Sequence, residues 1–214
     1  DEHGCWTSVV LLPTIQVYNA DLLLNDNLPH TLDDLANVEF SSKLSIHDIT
    51  LGTFGSNWLS SIRFASGIEK WKTFSTTLAK QKISMHPLFI NILNSVISGE
   101  STIGLTVMLY EYLRTKENNS HVKRLILDDL PVMVSGTAIS ILKSSENIDA
   151  SKLFIDFLLS KHGQNIIGST YLRIPADLDS DAKNTALLIA TSLNSKIFRE
   201  MYVMRKLVID GSNT

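Results

Sequence analysis

The chain has 214 residues, 44% of them hydrophobic and 19% charged, which excludes a disordered polypeptide and allows one large domain or two small ones. Lys and Arg number 19 against 22 Asp and Glu, for a net charge of −3, without the clustered basic face of a nucleic-acid binder. The single cysteine, Cys5, excludes an internal disulfide and a cysteine-built zinc site. No apolar run approaches the ~20 residues that a membrane-spanning helix needs, and the opening DEHGCWTS has neither the basic start nor the apolar segment of a signal peptide.

In chain order, residues 8–19 (SVVLLPTIQVYN) are rich in Val, Ile and Tyr and are interrupted by Pro13, which predicts one broken strand or two short ones. A short helix is expected over 31–36, with Thr31 as its N-cap and Asp33 and Asp34 in the first turn. Residues 43–48 (KLSIHD) alternate Leu44 and Ile46 on one face of a short strand. ITLGTFGS follows with two glycines and several hydroxyls, then helices over 57–65 and 68–80 separated by Gly67. Pro87 is expected at the first position of a helix lined by Leu88, Ile92 and Val96 and stopped by Gly99.

Residues 102–106 form a short apolar strand that runs into a helix over 108–116. Strands are expected at 122–127 and 131–142. Asn147 caps a helix whose inward face is Ala150, Leu153, Phe154, Phe157 and Leu158, interrupted at Gly163. Helical stretches at 180–192 and 195–207 close the chain. Strands alternate with helices throughout, so the fold class is α/β.

Little in the sequence speaks for catalysis. The six histidines show no i,i+4 pair and no H-E-x-x-H, and there is no G-x-S-x-G, P-loop or G-x-G-x-x-G. Cys5 beside Trp6 reads as a small hydrophobe, and Asp128–Asp129 as a solvated turn. His47–Asp48, at a strand end, is the most interesting of the histidine positions, although a strand terminus with a polar turn accounts for it as well. Two segments are more suggestive. In DITLGTFGS a strand gives way to a helix through Thr50, Gly52 and Thr53, which offers hydroxyls and backbone N–H groups of the kind that bind anions. In GLTVMLYEYLR a strand runs directly into a helix and sets Tyr110 near its start. An ordinary water-facing loop and a half-buried aromatic are the plain alternatives.

Together these pieces resemble the iron(III)-type extracellular solute-binding proteins of ABC transporters. Trp6-Thr7 followed by Val17-Tyr18-Asn19 resembles that family's W-t…v-v-Y-N, and LPHTLDDL (28–35) resembles l-P-k-s-w-d-D-L. KLSIHD resembles k-i-a-i-x-D-P, with Ile49 where the family has proline. SGESTIGL (98–105) is similar to a-x-G-E-x-x-i-G-l. Residues 136–143 and DASKLFIDFLLSKHGQ (149–164) give the most specific match, to g-x-a-i-v-k…A-x-k-F-i-d-F-L-L-S-x-e-G-Q.

The resemblance implies a type II periplasmic binding-protein-like α/β fold with one complete lobe plus part of the second. Residues 1–19 would be a hinge strand and lobe-one remnant, 20–128 lobe two, and 129–214 the return hinge strand and helical part of lobe one. The family's leading portion of lobe one lies before Trp6, so the chain is expected to be the C-terminal part of a longer protein. Bending is expected near residues 17–19 and 134–138. The iron-binding members carry two adjacent tyrosines where this chain has Leu109 and Tyr110, and one phenolate is a poor start for a hard ferric ion.

The resemblance thus implies a non-enzymatic solute-binding component of an ABC-type transport or sensing system, periplasmic or extracellular. Its ligand would be small, a hydroxyl-rich loop suiting an anion, and would lie between two lobes on Thr50, Gly52, Thr53 and Tyr110. No cofactor or metal is expected, and the partners would be that ligand and a membrane permease, not a nucleic acid. The alternative is a degenerate module that kept the fold and serves protein–protein contact.

Overall fold

The computed structural model describes residues 5–51, 54–130, 132–171 and 174–175. They fall into two compact units. One is built on residues 14–133, the other on the described parts of 1–13 and 134–214. The chain crosses between the units twice, within its first strand and at the start of its sixth. The helices expected at 180–192 and 195–207 lie outside the described residues.

The 14–133 unit is a sheet with helices on both faces. Its strands are β1 (Thr7–Asn19, of which the part from Thr14 belongs here), β2 (Leu44–His47), β3 (Ser84–His86), β4 (Ile103–Met108) and β5 (Val122–Leu125), in the spatial order β3-β2-β4-β1-β5. β2 runs parallel to both β3 and β4, while β1 runs antiparallel to β4 and β5.

β1 is one continuous strand, not the broken one expected from Pro13. Proline cannot donate to a ladder. Here it falls where β1 changes partners, from β7 (Ile174–Pro175) at Val10 and Leu11 to β4 from Thr14 onward.

All six residues of β4 are buried. One face carries Ile103 and Leu105 into a cluster with Trp58, Ile62, Phe74, Leu32 and Leu35 from α1 (Leu32–Leu35) and α2 (Phe54–Ala79). The other face lies against α3 (Phe89–Ile97). There a Cβ on Gly104 would sit 3.1 Å from methyls of both Ile92 and Val96, so glycine lets the helix settle onto the strand. β2 was expected to show one apolar face, but all four of its residues are buried. Ser45 is accommodated by hydrogen bonds with Ser95 of α3 and the Ile103 carbonyl.

Helix boundaries follow local chemistry. Thr31 caps α1 in a reciprocal box: its hydroxyl accepts from the Asp34 N–H, and the Asp34 carboxylate accepts from the Thr31 N–H. α2 is kinked at Gly67, whose φ of 83° lies in the left-handed region. Pro87 falls two residues before α3, whose cap is Leu88, and Gly99 ends that helix at φ 78°. α4 (Leu109–Thr115) starts as soon as β4 ends. Asn19 is buried at the end of β1, where its amide donates to the Val96 carbonyl and accepts from the Asp21 N–H.

In the other unit, β6 (Met133–Ile139, from Val134 onward here) and β7 pair with β1, and α5 (Ile148–Leu159) and α6 (Lys161–Tyr171) follow. Gln164 of α6 is fully buried and donates to the carbonyls of Val9 and Leu158, which ties α6 to β1. The face of α5 expected to point inward is left open by the described residues. Leu153 is 71% exposed, Phe154 56% and Phe157 43%, and α5 has no buried residue. The amphipathic pattern is real, but no described residue covers it.

Lys70 of α2 lies 2.7 Å from Asp129, whose other oxygen accepts from the Leu32 N–H at the start of α1. Asp129 thus fastens α1 and α2 to the chain that leaves β5. Asp129→Ala should cost about 2 kcal/mol, since it removes a charge-assisted bond and frees a helix N–H. Urea unfolding of the whole chain, followed by tryptophan fluorescence, measures it.

Candidate functional site

Because β2, β3 and β4 are parallel, their carboxyl ends share one edge of the 14–133 unit. In open α/β sheets that edge is where ligands bind. Here it gathers the 48–51 loop after β2, His86 at the end of β3, and α4 after β4.

The loop is organised by Asp48. Its carboxylate accepts from both the backbone N–H of Thr50, at 2.8 Å, and the Thr50 hydroxyl, at 2.7 Å. These bonds, the hydroxyl's first, hold the Asp48 carboxyl below its ordinary pKa. The Asp48 N–H donates to the His86 carbonyl, so the ladder continues one residue past β2. Thr50 itself is exposed.

His47 precedes the loop and is buried. Its backbone N–H donates to the Thr106 hydroxyl of β4 at 2.7 Å, and its Nδ1 lies 3.1 Å from the Asp48 carbonyl oxygen. Its ring packs against Phe89, the first residue of α3, at 4.5 Å between centroids. His86 stands opposite His47 in the parallel register, and its Nε2 is buried without a hydrogen-bond partner.

α2 starts directly above this turn. A Cβ on Gly55 would lie 2.7 Å from the His47 carbonyl oxygen and 3.1 Å from Ile49 Cα. Only glycine admits so close an approach of helix to backbone. Of the two residues at the start of α4, Leu109 is buried and Tyr110 half-buried.

Of the four site residues expected from sequence, Thr50 and Tyr110 therefore stand at the ends of neighbouring strands on one edge, whereas Gly52 and Thr53 lie outside the described residues. His86, Thr106 and Phe89 were missed. β3 is three residues long, too short for an alternation to show. Thr106 looks like any strand threonine until its hydroxyl is seen holding the next strand. Among the described residues, no group of three or more His, Cys, Asp or Glu side chains could hold a metal ion, and no helix is long and apolar enough to cross a membrane.

The comparisons with known proteins agree with this architecture. The family of bacterial extracellular solute-binding proteins matches residues 1–194, and the chain belongs to it. Among solved structures, the substrate-binding protein of an ABC transporter from Agrobacterium tumefaciens superposes with a TM-score of 0.70 at 15% identity, over 89% of this chain and 57% of its own. Iron-bound HitA from Pseudomonas aeruginosa gives 0.71 at 19% identity, over 91% of this chain and 71% of its own. AfuA of Actinobacillus pleuropneumoniae, a periplasmic binding protein with fructose-6-phosphate bound, gives 0.67 at 21% identity, over 80% of this chain and 54% of its own. The chain thus spans little more than half the length of two of these three proteins. A stretch of 40 residues, 19% of the chain, is 58% identical to part of a glutamyl-tRNA(Gln) amidotransferase polypeptide of Saccharolobus islandicus and covers 6% of that protein.

Two outcomes test the loop. Gly55→Ala should destabilise the protein by about 1–3 kcal/mol, because a methyl would press on backbone, and thermal unfolding measures it. The stability that Asp48 contributes through its lowered native pKa is present above the unfolded carboxylate pKa and is lost as pH falls through the native one. The melting-temperature gap between wild type and Asp48→Ala should therefore be widest near neutrality and close in acid.

Proposed function

We propose that the chain is the solute-binding component of an ABC-type import or sensing system, working outside the cytoplasmic membrane with a membrane permease and performing no chemistry of its own. Family membership over residues 1–194 carries this conclusion. The ligand is a small solute, held in part by Thr50, Gly52, Thr53 and Tyr110. Residues 1–19, 20–128 and 129–214 serve as entry strand, ligand-binding lobe and return segment. Two bodies joined by strands suit such a protein, because bending at the joints can trap a solute, and the chain crosses between its units at β1 and β6.

The ligand class follows from the donors. Thr50 and Tyr110 are neutral hydroxyl groups. Leu109, buried at the position where the iron-type members have a second tyrosine, removes a phenolate that ferric ion would need. Hydroxyls and backbone N–H groups suit an anionic or polyhydroxylated solute, and AfuA is a structural neighbour that holds a sugar phosphate.

A thermal-shift screen of the complete protein against ferric citrate, phosphate, sulfate, phosphonates, carboxylates and sugar phosphates tests the proposal. A saturable rise with one non-ferric class is expected. Thr50→Val and Tyr110→Phe should each weaken that ligand by about tenfold, the worth of one hydrogen bond to a charged group. A flat response from folded protein would sink the transport role and favour a module for protein–protein contact.

A further inference from the structure

A second place in the 14–133 unit is unexplained by the strand-end loop. Arg124 lies on β5, the edge strand opposite β3, and is half-buried. Its Nε and Nη1 are closed to solvent and have no hydrogen-bond partner. A guanidinium carries five N–H donors, a full positive charge and no acceptor. Closing two of its three nitrogens to water without a partner is costly. Among the described residues, the ionisable group that acts on Arg124 is Tyr112 of α4, whose effect is smaller than that of burial. Burial pulls the Arg124 pKa down to about 10. Burial also pushes the Tyr112 pKa up, so the phenol stays neutral at physiological pH and keeps its O–H as a donor.

We propose that Arg124, with Tyr112 beside it, is an anion-binding site for a small oxyanion group, a sulfate, phosphate or carboxylate. Both groups can donate to an anion. Arg124 supplies the charge and the planar fork that matches an oxyanion, and Tyr112 a neutral O–H. It uses none of the loop residues Thr50, Gly52, Thr53 or Tyr110, so it stands or falls separately from the solute site. Other buried orphans in the unit, such as the indole nitrogens of Trp58 and Trp71, are neutral donors and carry no comparable demand for a counter-charge.

The test uses the full chain with sodium sulfate and sodium acetate as probes, against sodium chloride at matched ionic strength. Sulfate raises melting temperatures weakly and linearly by exclusion from protein surfaces. The informative quantity is therefore a saturable component, expected at about 3–6 °C when the anion reaches roughly ten times its dissociation constant. Arg124→Met should abolish that component, and in chloride should melt no lower than wild type, because an uncompensated charge has gone. Arg124→Lys, which keeps the charge and loses the fork, should retain a weaker response. In wild type alone, the side-chain Nε–H resonance of Arg124 should shift during the titration, which holds the test open if a variant does not fold. A response to sulfate but not acetate would narrow the class to tetrahedral anions, still within the proposal. An unmoved Nε–H resonance, or a saturable response as large in Arg124→Met as in wild type, would overturn it. A solute screen whose every saturable response disappears in Arg124→Met would end the transport proposal and leave this one standing.

Discussion

Everything in the 14–133 unit hangs on β4 being closed on both faces. A strand covered on two sides must satisfy every backbone group through its neighbours and must present side chains that two different helical layers can accept. β4 does this with β2 on one side and β1 on the other. Ile103 and Leu105 feed the Trp58 and Phe74 cluster, and Gly104 clears room for α3. Once β4 is fixed, the carboxyl ends of β2 and β3 are fixed with it. The Thr106 hydroxyl carries that placement across to His47, and so to the loop that Asp48 organises. The strand-end edge is therefore a product of core packing and not of the loop's own preferences.

Much of this was legible in the sequence because local chemistry and tertiary need agree. Thr31 with Asp34, Gly67, and Gly99 each mark a helix start, kink or stop that the backbone requires, and each is where it was expected. What misled was polarity. Ser45 and His47 look like the wet face of a half-buried strand, yet both are buried because hydrogen-bond partners on β4, α3 and the loop serve them. Pro13 looked like a break, since a sequence cannot show that a strand changes partners at that residue. The apolar stripe of α5 was legible as a pattern, but no described residue covers it, because periodicity names the side that wants cover and not what supplies it.

Two segments that carry the family resemblance are fasteners. Asn19 locks the end of β1 to α3, and Gln164 locks α6 to β1, each through a buried amide. At the strand-end edge the chain departs from the resemblance, with Ile49 where proline and Leu109 where tyrosine was expected. A scaffold held by buried amides lets the residues at its rim change, and with them the solute, while the fold stays put.

The three tryptophans give the molecule an optical property of its own. Trp58 is 1% exposed in the core of the 14–133 unit, whereas Trp6, in the other unit, is 47% exposed. An indole in an apolar core emits to the blue of one in water. The two ends of the emission band therefore belong to different parts of the chain. Loosening of the 14–133 unit carries the emission to the red, as Trp58 meets water while Trp6 stays as wet as before, and no added dye is needed to see it.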